Sequence, residues 1–212
     1  MSAKAVKVSK SYEIDMCNGP ILSKLLRFAV PLMCSSMLQL LFNAADVIVV
    51  GRFAGSQSLA AVGSTTALIN LMINIFIGLS VGVNVIVARY YGAKREKDVQ
   101  DTIHTAMALS IVSGLFLIVM GQLLSRPMLE LMGTPDDVID KSTIYMRIIF
   151  IGMPANMIYN FGSAILRAVG DTKRPLYFLT AAGVINVVLN LFFVIMFRMD
   201  VAGVALATAI SQ

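Results

Sequence analysis

The sequence predicts an all-α, polytopic membrane protein, and three observations carry that reading. Of its 212 residues 58% are apolar and only 14% are charged, a balance that excludes an ordinary soluble domain. The apolar residues come in long blocks, each close to the roughly 20 residues a helix needs to cross a bilayer. The lysines and arginines gather between alternate blocks, as loops on one side of a membrane do. This loop asymmetry accounts for the net charge of +5, so nucleic acid is not an expected partner and the lipid bilayer is. His104 and two separated cysteines, Cys17 and Cys34, make neither a disulfide framework nor a set of metal ligands. No cofactor is expected.

Residues 1–24 read as a cytoplasmic tail and interfacial lead-in, and residues 25–212 as the transmembrane unit. The first twelve residues are rich in Lys and Ser without an apolar period, as disordered segments are. Residues 13–27 form a short amphipathic lead-in, with Lys24 and Arg27 at the interface. The apolar block that follows is too long for the core of a cleavable signal.

Span 1 covers about 28–50. Pro31 lies near its start, where a proline gives up an amide without a helical partner. Ser35, Gln39, Asn43 and Asp46 are spaced four, four and three apart and fall on one helical stripe. A carboxylate in a membrane helix costs about 3 kcal/mol or more and ordinarily faces a protein interior or a wet cavity. The plainer alternative is that Asp46 reaches headgroup water, towards Arg52. A turn at 51–58 leads to span 2, about 59–88, which has no charge. Gly63, Thr66, Asn70, Asn74 and Asn84 lie roughly on one face, as cavity lining or as interhelical hydrogen-bonding groups. Gly78 and Gly82 offer a close helix contact.

A charged loop, 89–101, precedes span 3, about 102–124, the least polar and mainly structural; His104 sits at its edge. A longer loop, 125–142, contains Thr134-Pro135-Asp136-Asp137, which reads as a turn and then a helix start. Span 4 is about 143–166, with Gly152 and Pro154 predicting a kink at mid-depth. The loop 167–175 leads to span 5, about 176–197, where Asn186 and Asn190 stand one turn apart. A sixth segment, 201–212, is too short to cross, and the chain reads as a fragment. The tail, the 89–101 loop and the 167–175 loop hold most of the basic residues. The opposite side carries Asp136, Asp137 and Asp140. The positive-inside rule therefore puts the N-terminus in the cytoplasm and Asp46 in the outward half of span 1.

Several short patterns occur in order along these spans. They are Phe28-Ala29-Val30-Pro31, Asp46-x-x-Val49-Val50-Gly51-Arg52, Leu59-Ala60-Ala61-Val62-Gly63 and Arg89-Tyr90-Tyr91-Gly92-Ala93. Further on come Leu166-Arg167-Ala168-x-Gly170-Asp171-Thr172-Lys173, Asn186-x-x-x-Asn190 and Gly203-x-Ala205-x-Ala207-Thr208. From about residue 19 onward the set resembles the MATE family of multidrug and toxic compound extrusion antiporters, in a bacterial-type version. The resemblance implies a twelve-helix, two-lobe transporter of which this chain is the N-terminal six-helix lobe with helix 6 truncated, and a C-terminal lobe as its partner. It implies a multi-pass protein of the bacterial inner membrane that exports cationic, amphipathic small molecules in exchange for H⁺ or Na⁺ by alternating access.

By the same resemblance Asp46 carries the proton or helps hold sodium, with Asn186, Asn190, Thr208 and Tyr145 as its partners. Gln39, Asn43, Asn70 and Asn74 are expected to line the cavity. Some family members have a second aspartate at the position of Asn190; its replacement by a neutral amide weakens the case for sodium. The chemistry agrees. A carboxylate partly withdrawn from water can hold a proton near neutral pH and release it when wetted. Amide and hydroxyl oxygens can bond to the acid or coordinate a hard cation. Two other readings remain: a flippase of lipid-linked precursors on a related fold, and a non-transporting membrane fragment. An intramembrane enzyme would need a nucleophile–base pair or a metal cluster, and the sequence offers neither.

Overall fold

The computed structural model describes residues 21–212. The Lys/Ser-rich tail, Cys17 and the start of the lead-in lie outside the described residues. From Ile21 the chain is helical with short breaks. Helix α1 spans Ile21–Val49 and runs into a π turn, Val50–Ala54. It is followed by α2 (Ser56–Gly92), α3 (Glu96–Leu131), α4 (Asp136–Ile151) and α5 (Met153–Ala168). Helix α6 (Lys173–Leu191) runs into a second π turn, Phe192–Met196, and α7 covers Asp200–Ser211. Among the described residues four helical stretches are long and apolar enough to cross a membrane, and α4 with α5 makes a fifth span bent by 49°. The bend falls at Gly152, immediately before Met153 and Pro154, where a kink was expected.

The connections are shorter than the charge pattern suggests. The expected turn at 51–58 is mostly helical, because α1 continues through the π turn and breaks at Gly55. The backbone there has φ 85°, a conformation glycine reaches without a Cβ clash. The charged stretch 89–101 shrinks to three residues between Gly92 and Glu96. Arg95 supports α3's first turn with a 2.7 Å pair to Asp98 and lies 5.1 Å from the Tyr90 ring centroid. The long loop expected over 125–142 reduces to 132–135, since α3 passes through Pro127 to Leu131. Arg126 pairs there with Glu130 at 3.0 Å and Asp140 at 3.2 Å, tying the ends of α3 and α4 together. The physical reason is common to the second and third of these places. Apolarity stops where the hydrocarbon stops, but intrahelical hydrogen bonding does not. Charged outer turns therefore stay helical and bond to one another at the water boundary.

Lipid tails are as apolar as leucine, so helices in a bilayer associate through close packing and interhelical hydrogen bonds. Three glycines supply the closest approaches. Gly114 lies against Pro154, Gly121 against the Phe150 ring, and Gly183 against the Phe42 ring. The first two bring α3 onto α5 and α4, and the third brings α1 onto α6. Gly78 and Gly82, expected to make such a contact, face open space on α2. Phe150, Phe161, Leu117, Leu129, Met146 and Met157, from α3, α4 and α5, are fully buried. Side-chain amides cross between helices, Asn84 Nδ2 to the Ala164 carbonyl at 2.7 Å and Gln122 Nε2 to the Arg147 carbonyl at 3.0 Å.

The turn from α5 to α6 shows how one of the quoted patterns works. Gly170 takes φ 86°, turning the chain so that the next residue faces back. Asp171 Oδ1 then accepts the amides of Lys173 and Arg174, each at 3.1 Å, and caps α6. Its other oxygen pairs with Arg174 Nε at 3.2 Å. The carboxylate is almost fully buried, and these three bonds are what make its burial tolerable.

Candidate functional site

Helices α1 and α6 lie side by side, and α7 returns along α6. The Phe42–Gly183 contact sets how near α1 comes to α6. One helical turn beyond Phe42, Asp46 meets Asn190. The Asn190 amide nitrogen donates to Asp46 Oδ1, and also to Asn186 Oδ1 one turn back on the same helix, at 3.1 Å. Asn186 Nδ2 donates to Thr208 Oγ1 on α7 at 3.2 Å. The Thr208 hydroxyl donates to the Val204 carbonyl at 3.0 Å. Four polar side chains from three helices thus form one hydrogen-bonded line ending on a carboxylate.

Both donors of the Asn190 amide are engaged, while its oxygen, Oδ1, is buried without a partner among the described residues. A buried carbonyl-type oxygen left bare costs free energy comparable to a lost hydrogen bond. It belongs to the same amide that donates to Asp46, so one unfilled acceptor lies next to the carboxylate. That arrangement suits a group that brings a positive charge or a proton. Asn190 is fully buried, Asn186 nearly so, and Asp46 and Thr208 are half-buried. The acid is therefore partly accessible, while the two asparagines that hold it are enclosed in protein.

Tyr145 is buried on α4 and does not join the hydrogen-bonded line. Gln39 and Asn43 share the α1 stripe with Asp46 but are exposed, as are Asn70 and Asn74 on α2. These four do not join the hydrogen-bonded line. Ser35, at the other end of the stripe, returns its hydroxyl to the Pro31 carbonyl at 2.9 Å. Arg52 is exposed and makes no ion pair with Asp46. A second polar stripe, Asn156, Asn160, Ser163 and Arg167 on α5, went unassigned from the sequence. Its spacing of four, three and four, like the four, four and three of the α1 stripe, keeps to one helical face and was the available signal. Asn160 Nδ2 bonds Asn156 Oδ1 at 2.8 Å, and both are half-buried.

The MatE family model matches residues 31–192. The chain is 36% identical over 188 residues to the probable multidrug resistance protein YoeA of Bacillus subtilis, covering 87% of this chain and 41% of that protein. It is 27% identical over 200 residues to the FAD transporter of Shewanella oneidensis, covering 92% of this chain and 44% of that one. The fold superposes on a MATE crystal structure in the bent conformation with a TM-score of 0.85 at 27% identity, covering 91% of this chain and 43% of that one. On a MOP superfamily transporter from Pyrococcus furiosus the TM-score is 0.83 at 28% identity, covering 89% and 41%. The chain spans about two fifths of the length of the relatives it matches. Its helices, their order and its sequence agree in one conclusion: the chain belongs to the MatE family.

Proposed function

We propose that this chain forms the N-terminal lobe of a two-lobe secondary antiporter, which exports cationic, amphipathic small molecules in exchange for H⁺ or Na⁺ by alternating access. The observation that carries the reading is the hydrogen-bonded line Asp46–Asn190–Asn186–Thr208. An intramembrane carboxylate with fixed neutral partners and a bare acceptor beside it can take up a cation and give it back. Asp46 is the exchanging group. Asn190 and Asn186 hold it in place, Thr208 anchors the line to α7, and Tyr145 shields it from α4. Gln39, Asn43, Asn70 and Asn74 face the space towards a second lobe, where an organic cation passes. The length of the relatives supports the two-lobe arrangement, and the loop charges support a cytoplasmic N-terminus in a bacterial inner membrane.

Protonation of Asp46 removes the charge that the Asn190 amide faces. It converts one carboxylate oxygen from acceptor to donor, and the bare Asn190 oxygen is the acceptor at hand. The line rearranges without any group leaving the protein, which is how a proton on one residue changes packing between α1, α6 and α7. Of the two coupling ions the residues fit H⁺ better, because a single carboxylate with amide and hydroxyl oxygens offers little charge for sodium. A second cargo reading rests on the relative described as an FAD transporter, which places a large organic anion among the substrates to be tried.

The test is transport by the complete protein in proteoliposomes, with an imposed proton gradient, a sodium gradient or neither. Movement of an ethidium-like dye against its own gradient, driven by the proton gradient, is expected. Movement that neither ion gradient accelerates would contradict the antiport reading.

A further inference from the structure

Asp46 stands near the start of α2, and a separate feature lies at that helix's other end. Where α2 ends and α3 begins, the two helices leave a groove of about 430 Å³ between them. Its inner part is apolar, lined by Val83 and Ile86 from α2 and Leu109 from α3. Its mouth is polar, lined by Tyr90, Asp98 and Asp101. Ile86 is 46% exposed and Leu109 38%, so the apolar part stands open rather than filled by the described residues.

The sequence sets the level of the groove in a bilayer. Asp, Glu, Lys and Arg are absent from 59–88 and from 102–125 and crowd into 89–101. From Asp98 to Leu109 α3 rises about 16 Å at its regular 1.5 Å per residue. That is close to half of a hydrocarbon core of roughly 30 Å. The groove is thus one leaflet deep, with its polar mouth at the water boundary.

The mouth carries both signs of charge. Arg95 Nε bonds Asp98 Oδ2 at 2.7 Å, and the guanidinium carbon lies 5.1 Å from the Tyr90 ring centroid. Two groove residues therefore hold Arg95 in place, and its terminal nitrogens are left to donate. Asp101, on the second turn of α3, makes no ion pair among the described residues. Thr102 and Thr105 also line the groove, but their hydroxyls return to the Asp98 and Asp101 carbonyls at 2.7 and 2.8 Å. Among the described residues no third metal-ligating side chain joins the two aspartates. A ligand thus meets one guanidinium, one unpaired carboxylate and an apolar channel below them.

The occupant that fits needs an apolar chain, an anionic group for Arg95 and a cationic donor for Asp101. A phospholipid with a primary ammonium has all three. A purely anionic lipid would set its charge against Asp98 and Asp101, and a soluble amine would leave the apolar part open.

We propose that the α2–α3 groove holds one molecule of phosphatidylethanolamine. Its phosphate lies at Arg95, its ammonium donates to Asp101, and one acyl chain runs along Val83, Ile86 and Leu109. The site is separate from Asp46 and does not depend on which ion or cargo the protein carries.

The experiment is native mass spectrometry of the complete protein, delipidated in mild detergent and titrated with phosphatidylethanolamine or with phosphatidylcholine of the same chains. The second lipid keeps the phosphate and the positive charge but has no N–H donor. One molecule of phosphatidylethanolamine is expected to be held about threefold to tenfold more tightly than phosphatidylcholine, the factor one hydrogen bond supplies. Asp101→Ala should abolish that preference, and Asp136→Ala, an exposed carboxylate outside the groove, should keep it. Leu109→Trp fills the apolar part and should remove one bound molecule of either lipid. All three side chains are exposed, and an unchanged charge-state distribution shows that each variant is folded. Equal retention of the two lipids by the unmodified protein would overturn the proposal. So would a preference that survives Asp101→Ala or that Asp136→Ala also removes, and so would lipid binding unaltered by Leu109→Trp. No transport is measured, so failure of the antiport reading would leave this result interpretable.

Discussion

Asp46 and Asn190 divide the chemistry of the site between a group that can change charge and a group that cannot. Asn190→Ala removes both amide donors and the bare oxygen but leaves the carboxylate. We expect export of an ethidium-like dye by the complete transporter to fall severalfold without being abolished; loss as complete as that of an Asp46 variant would mean the amide is itself indispensable. Asp171 makes a different kind of prediction. Asp171→Ala deprives two amides of α6 of their cap and takes a carboxylate from Arg174. It should cost about 2 kcal/mol of stability, read as a lowered melting temperature in mild detergent, with the melting of Asp136→Ala, an exposed site, close to unchanged. At this scale the sequence was legible where a polar residue interrupts an apolar block. Asp46, Asn186 and Asn190 stand out that way. Their partnership was implied by the family resemblance and not by the stripe, which says which residues share a face and not what the face meets. Gln39 and Asn43 share Asp46's stripe and yet lie exposed, since the angle α1 presents to α6 is a tertiary fact.

Helices are where the sequence and the structure part most visibly. Every apolar block became a helix, but the expected ends fell short of the observed ones, because helical hydrogen bonding continues into charged turns that bond to themselves. Arg126 with Glu130 and Asp140, and Arg95 with Asp98, are the pairs that carried α3 past its expected limits. The Gly152 break was foreseen because glycine followed by Met153 and Pro154 removes both a side chain and an amide donor. The π turns were not, since a one-residue insertion has no compositional mark. The close contacts also went to other glycines than those expected, and this can be measured. Gly183→Val places a branched side chain where the Phe42 ring lies, and should cost about 1–3 kcal/mol, with partial recovery on adding Phe42→Leu. Gly78→Ala meets open space and should be neutral or stabilising by up to about 1 kcal/mol. Melting temperatures of the three variants check both statements; a Gly78→Ala protein as damaged as Gly183→Val would contradict the assigned helix contacts.

For the whole molecule, the asymmetry of lysine and arginine gives an orientation that can be tested directly. Single cysteines at Lys97 and Asp137, both exposed, in a protein lacking Cys17 and Cys34, should differ in whole cells. An impermeant thiol reagent is expected to label the Asp137 position and spare the Lys97 position; the reverse would invert the molecule in the membrane. The fold class was legible from composition and block length alone, and the ordered patterns carried the family. The two-lobe arrangement is implied by the resemblance alone, since no six-span repeat occurs within these 212 residues. All of these levels meet in one residue. Asp46→Asn keeps the size and hydrogen-bonding capacity of the side chain and removes its titration. In the complete transporter, energised by a proton gradient in proteoliposomes, the account predicts that this variant inserts normally, still binds dye and no longer accumulates it against a gradient. Uphill transport at the unmodified rate and with unchanged pH dependence would make the carboxylate structural and contradict the account.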